Sequence, residues 1–252
     1  MTKNTKSIIV VNYLQKKYQN APDFALKGVS LTINKGEFFG LLGPNSAGKT
    51  TLISIMCGLL KITSGTVTVG DIDVKQHPRK ISNIIGLIPQ ELALYPNLTI
   101  KENIRYFGQM HGLNGKELNR KIEEFITVVK LSTHENKLIA NCSGGIKRRA
   151  NLIAGLIHNP SIVFLDEPTL GVDAQSRNLI FDYLEKLNKT GTTVIYTTHY
   201  MKEAENLCSR VVIIDQGEII AEGSPEMLIK SIDGCTDLGQ VFIKLTGKEL
   251  RD

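Results

Sequence analysis

Nine residues constrain this chain more than any others: Gly43-Pro44-Asn45-Ser46-Ala47-Gly48-Lys49-Thr50-Thr51. An apolar run, Phe38-Phe39-Gly40-Leu41-Leu42, precedes them, and a helical pattern, Leu52-Ile53-Ser54-Ile55-Met56, follows. Strand, glycine loop and helix in that order form the setting a phosphate-binding loop requires. Glycines let successive backbone N–H groups turn inward around an anion, and the positive end of the following helix points at the same spot. Lys49 is placed to reach the outer phosphates of a nucleotide, and Thr50 to offer its hydroxyl to Mg²⁺. The competing reading, an ordinary glycine-rich turn, explains neither the lysine nor the two threonines.

The rest of the chain fits an α/β domain. At 252 residues it can bury one large core, and 42% hydrophobic with 22% charged residues is ordinary for a globular protein. No apolar run approaches the ~20 residues that span a bilayer, and Met1 to Lys6 lead into no signal core; a cytosolic chain is expected. Cys57, Cys142, Cys208 and Cys235 lie far apart without a C-x-x-C pair, so free thiols are expected. A net charge of +5 from dispersed basic residues, with no tryptophan, argues against a nucleic-acid stripe.

Residues 7 to 40 alternate short β-rich runs with turns, as in Ser7–Val11 and Val29–Ile33, and suggest an antiparallel sheet joined later by Thr66–Gly70. From about Glu91 to Lys147 helical spacing dominates. Thr99 is a good N-cap for the run from Ile100, and Leu118, Ile122, Phe125, Ile126 and Val129 share one face. From Ser161 the α/β rhythm resumes: Ile162–Leu165 reads as a buried parallel strand, Ala174 to Lys189 as a helix, Thr193–Thr197 and Val211–Ile214 as strands. Ser224-Pro225 opens a last helix, and the chain beyond Asp233 reads as a short polar tail.

Further residues carry chemistry. Asp166-Glu167-Pro168 closes the apolar strand, where ligands of open α/β sheets bind. Two acids buried there are costly without a cation, which Mg²⁺–nucleotide supplies. Asp166 then holds the Mg²⁺ shell and Glu167 polarises the attacking water. Ser143-Gly144-Gly145 opens a helix whose bare N–H groups make a second anion site, with Ser143 as its cap. Alone, that motif does not beat a capped helix with the solvated basic face Lys147-Arg148-Arg149. His199 and Gln90, each ending a β-like run, are weak signals in isolation.

Together these residues resemble the ATP-binding cassette (ABC) ATPases, over about residues 5 to 232. The resemblance implies a P-loop NTPase core sheet, an N-terminal antiparallel β subdomain and a helical subdomain inserted at about 91 to 147, with a tail at 233 to 252. It makes Gly43 to Thr51 the Walker A loop, Gln90 the lid glutamine and a Mg²⁺ neighbour, Cys142 to Ile146 the signature, and Ile162 to Glu167 the Walker B strand. Gly171-Val172-Asp173 becomes the D-loop, His199 the switch histidine, and Tyr18 the aromatic that stacks on adenine, with Tyr13 a weaker candidate. It also implies a composite site: two cassettes pair head to tail, Ser143, Gly144 and Gly145 of each capping the partner's ATP, with Asp173 at the interface.

Three positions depart from the family pattern. The family usually has glycine where this chain has Ser46, and a leucine-like residue and glutamine where it has Cys142 and Ile146. If the loop needs positive φ at Ser46, serine costs roughly 1–2 kcal/mol. Cys142 is expected to pack as a small hydrophobe. The gap between Walker A and signature is too short for the coiled coils of DNA-repair cassettes, and translation-associated cassettes carry two copies per chain. The stretch from Pro89 to Thr99 and the basic run at Lys147 look like exporter cassettes, and the tail is short for a sugar importer's regulatory domain. The implied reading is an exporter's ATPase subunit, acting as a homodimer on a separate membrane permease at the cytoplasmic face of the membrane. The alternative is a soluble cassette in assembly or nucleic-acid processing.

Overall fold

The structure is a computed structural model and describes residues 6–247. The first five residues and 248–252, which bear on the signal and tail readings, lie outside the described residues. The chain runs β1 (Ser7–Lys17), β2 (Phe24–Asn34), β3 (Phe38–Leu42), α1 (Lys49–Met56), β4 (Ser64–Val69), β5 (Ile72–Asp73), α2 (Pro78–Ile81) and β6 (Ile85–Ile88). There follow α3 (Ile100–Met110), α4 (Gly115–Val128), α5 (Gly144–Leu156), β7 (Ile162–Asp166), α6 (Ala174–Lys189) and β8 (Thr193–Thr197). The last elements are α7 (Met201–Leu207), β9 (Arg210–Asp215), β10 (Glu218–Gly223), α8 (Pro225–Ser231) and α9 (Leu238–Thr246).

The main sheet has the order β10-β9-β3-β8-β7-β6. Its strands are parallel except β10, which returns antiparallel to β9 after the turn at Gln216-Gly217. Both faces are covered, which is why the strands read as unbroken apolar runs. Side chains alternate between the faces. Phe38, Leu42, Val163, Leu165, Val194 and Tyr196 enter the core shared with the helices, whereas Phe39, Leu41, Ile162, Phe164 and Ile195 enter the core beneath α1 and the second sheet. That sheet, β2-β1-β4-β5, is antiparallel as expected. β1 extends further than its apolar run suggests, through a register shift between Val11 and Leu14 that puts Tyr13 at φ 45 within the strand rather than ahead of the sheet.

The helical segment is built on α3, α4 and α5. Thr99 and Glu102 form a capping box at the start of α3, each side chain bonding the other's backbone N–H. Ile104, Leu118, Ile122 and Ile126 pack with Leu152, Ile153 and Leu156 of α5 in the same core as the sheet. Among the described residues no helix is long and apolar enough to cross a membrane.

The tail departs from its reading as polar. Asp237 accepts from the Gln240 N–H and caps α9. Leu238, Val241 and Phe242, spaced one helical turn apart, are fully buried in the core shared with Met201 and Leu228. The three apolar residues were outweighed by the glycines and charges around them.

Candidate nucleotide site

The loop from Gly43 leaves the end of β3 at the centre of the sheet and enters α1 at Lys49. Gly48 sits at φ 110, and a Cβ there would lie 2.8 Å from the Ala25 carbonyl oxygen, so only glycine fits. Ser46 adopts φ 65, the left-handed conformation that a serine holds only at a cost. Lys49 is buried, and its Nζ donates to the carbonyls of Gly43 at 2.7 Å and Pro44 at 3.0 Å, inside the curve of the loop. Burial pushes its ammonium below the usual lysine range, with Glu167 and Asp166 pulling it back up.

β7 lies beside β8, which lies beside β3, so the acids at the end of β7 face the loop across one strand. Thr50 Oγ1 donates to Asp166 Oδ2 at 3.2 Å. Glu167, buried to 6% exposure, stands at φ 50, and its backbone N–H donates to Thr197 Oγ1 at 3.0 Å. Its carboxylate meets two of the expected residues: Gln90 Nε2 donates to Oε2 at 3.0 Å, and His199 Nε2 lies 2.5 Å from Oε1. A strained backbone held by a hydrogen bond at a buried acid is the pattern of a functional site.

A cleft of about 310 Å³ gathers these elements. Asn45, Ser46, Ala47, Gly48, Lys49, Thr50, Thr51, Gln90 and Glu167 line it, together with Ala25. Tyr18 joins its edge, with its hydroxyl 3.2 Å from Thr51 Oγ1 and its ring partly exposed; Tyr13 is more exposed still. Among the described residues no three His, Cys, Asp or Glu side chains gather for a metal. The set present, one carboxylate, one hydroxyl and one amide, instead suits Mg²⁺, which takes few protein ligands and completes its shell with phosphates and water.

Ser143, Gly144, Gly145 and Asp173 do not line this cleft. Ser143 and Gly144 are exposed, and Gly145 packs against the start of α6. A Cβ on Gly145 would collide with Ser176 Oγ and approach Asp173 Oδ2 to 2.6 Å. Asp173 caps α6 by accepting from the Ser176 N–H at 2.8 Å. The expected side-chain cap at Ser143 is absent: no helix N–H bonds its hydroxyl, which stays with the exposed start of α5. Cys142 packs as expected, buried with Sγ 3.3 Å from the Leu138 carbonyl oxygen. Ile146 is partly buried against the same core.

Two residues of the site escaped the sequence reading. Thr197 ends β8 and donates to Asp166 Oδ1 at 2.6 Å while holding the Glu167 backbone; a threonine at a strand end carries no distinguishing signal. Arg148 belongs to the basic run Lys147-Arg148-Arg149, whose solvated face is the expectation from sequence. It is buried, and Nη1 donates to the carbonyls of Gln90 at 2.8 Å and Pro89 at 3.3 Å, fixing the turn that presents Gln90. Burial pushes its guanidinium below the usual arginine range, partly countered by Glu167.

Comparison with known proteins agrees with this geometry. The family model "ABC transporter" matches residues 26–170. The chain is 47% identical over 211 residues to the linearmycin resistance ATP-binding protein LnrL of Bacillus subtilis (strain 168), covering 84% of this chain and 68% of that protein. It is 38% identical over 210 residues to Nod factor export ATP-binding protein I of Burkholderia lata, covering 83% and 69%. Among solved structures, an ATP-binding subunit of an ABC transporter superposes with TM-score 0.86 at 23% identity, covering 94% of this chain and 99% of that one, a likeness of fold. The dimeric cassette MJ0796, in a post-hydrolysis state bound to ADP and Pi, gives TM-score 0.79 at 28% identity over 86% and 98%. The chain therefore belongs to the ABC transporter family and is one of its ATP-binding, ATP-hydrolysing cassettes.

Proposed function

We propose that this cassette drives export through a membrane permease on a separate chain, as a homodimer at the cytoplasmic face of the membrane, with residues 5–232 as the cassette, a helical segment at 91–147, and the stretch near Gln90 to Tyr106 as its docking part. The observation that carries the reading of turnover is Glu167 between Gln90 and His199 beside the Lys49 loop. Gly43 to Gly48 cradle the phosphates with backbone N–H groups, Lys49 and Thr50–Thr51 complete the grip, and Tyr18 stacks on adenine. Thr50, Asp166 and Gln90 hold Mg²⁺, which neutralises phosphate charge when bound. Glu167 takes the proton of the attacking water, with His199 fixing its carboxylate and, through it, the water's position. Ser143, Gly144 and Gly145 of the partner copy cap the far side, and Asp173 meets its counterpart across the interface.

Export is supported by the names of the relatives, which concern Nod factor export and linearmycin resistance. A cavity of about 220 Å³ between the sheet and the helical segment, lined by Leu59, Leu87, Phe107 and Ala154 among others, offers the apolar slot that a permease segment needs. Affinity purification of the chain from detergent-solubilised membranes tests the reading. A co-purifying polytopic membrane protein supports it. Recovery only with soluble proteins or ribosomes, with none on membranes, favours the soluble cassette.

A further inference from the structure

Glu203 lies on α7 outside the nucleotide cleft and is buried to 6% exposure. A carboxylate so placed is costly unless its oxygens are satisfied. Three hydroxyls satisfy them, and one guanidinium adds a charge nearby. Thr169 Oγ1 lies 3.1 Å from Oε1 and 3.0 Å from Oε2. The Tyr196 hydroxyl and Thr198 Oγ1 each donate to Oε2 at 2.8 Å. Arg177 Nε stands 3.7 Å from Oε1.

The positions of these partners matter. Thr169 follows Glu167 by two residues, and Thr198 immediately precedes His199. Thr198 Oγ1 also accepts from the Tyr200 N–H at 3.0 Å, so both sides of His199 are tied to one hydroxyl. Arg177 Nη2 donates to the Val172 carbonyl at 3.4 Å, next to Asp173, and its guanidinium lies 5.2 Å from the Tyr200 ring centroid. One carboxylate thus connects the loop of Glu167, the loop of His199 and the loop of Asp173.

We infer that Glu203 is a positioning residue for ATP hydrolysis: it sets the mutual placement of Glu167 and His199 and ties both to the loop carrying Asp173. The inference rests on the roles proposed above for Glu167 and His199. An acceptor-only group is what this point of the fold requires, because three hydroxyls bond it and a guanidinium charge stands 3.7 Å away. Burial, with Glu203 beside it, holds the Tyr196 hydroxyl protonated, so it remains a donor. Glu203 does not line the cleft, so its loss should act on turnover rather than on ATP affinity.

The test uses the full chain with MgATP. Glu203→Gln keeps the shape and removes the charge. The expected result is a kcat lower by about tenfold, with the ATP Kd within about twofold and the melting temperature nearly unchanged. Thr198→Val is the second variant, needed if Glu203→Gln does not fold. It should lower kcat by several fold, and Thr198→Ser, which keeps the hydroxyl, should restore it. Wild-type kcat in both Glu203→Gln and Thr198→Val overturns the inference, as does a matching loss of ATP affinity. Glu167→Gln and His199→Ala are measured alongside. If those two keep turnover, the site reading itself fails; if they lose it while Glu203→Gln and Thr198→Val do not, the positioning role alone falls.

Discussion

His199 Nε2 lies 2.5 Å from Glu167 Oε1, although the two residues stand 32 positions apart and end neighbouring strands. The contact fixes the carboxylate from one side while Gln90 Nε2 holds it from the other at 3.0 Å. A carboxylate held by two donors presents a defined lone pair to a water. His199→Ala should therefore reduce kcat by about 10²-fold, the usual contribution of one such group, with ATP binding largely retained. Steady-state hydrolysis and equilibrium ATP binding, measured on the same preparation, check this.

Ser46 pays for its left-handed conformation at φ 65. Replacing it with glycine removes strain of roughly 1–2 kcal/mol but adds unfolded-chain entropy of about 0.4–1 kcal/mol. Ser46→Gly should stabilise the protein by up to about 1.6 kcal/mol in urea unfolding, or tighten ATP binding. No change in either quantity contradicts the strain.

Phe242 anchors α9 and is fully buried against α7 and α8. Phe242→Ala should cost about 3–5 kcal/mol in chemical denaturation. A loss below ~1 kcal/mol would mean that α9 does not belong to the cooperative core.

His158 supplies an acid-side dependence. Its pKa is pushed down from 6.5 to about 4, mainly by burial, against the bond to the Ile85 carbonyl and with help from His111 and Lys121. His111 stacks on it with ring centroids 3.7 Å apart. The folded chain binds this proton less readily than the unfolded chain, so the stabilisation is full above pH 6.5 and is lost as pH falls towards 4. In denaturation midpoints measured between pH 7.5 and 4.5, His158→Gln should show a flatter acid side than the wild type. Parallel profiles would exclude His158 as the cause.

Most of the architecture was legible because its signals are local. Apolar strands such as Ile162–Leu165, the Thr99 cap and the Gly43–Thr51 loop each announce themselves within a few residues. Of the residues read in order along the chain, the fold brings Gln90, Asp166, Glu167 and His199 together beside the loop, whereas Ser143 and Asp173 lie away from the cleft. What was missed depends on partners distant in sequence. Arg148 is basic on paper but buried because the Gln90 carbonyl waits for it, 58 residues away. Thr197 matters only through Asp166 and the Glu167 N–H, at the end of the neighbouring strand. Ser143 looked like a cap, yet its hydroxyl makes no bond to the helix. The tail hid three buried residues among polar ones, where a single turn of amphipathic spacing is too short to stand out.

The most direct test of the account is ATP turnover and self-association of the Glu167→Gln chain, compared with wild type by steady-state hydrolysis and sedimentation. The account predicts that the variant binds ATP, loses turnover by at least ~10²-fold and gathers as an ATP-dependent dimer that wild type forms only transiently. Turnover that persists in the variant would remove Glu167 as the base. A variant that binds ATP yet stays monomeric would contradict the site shared between two copies.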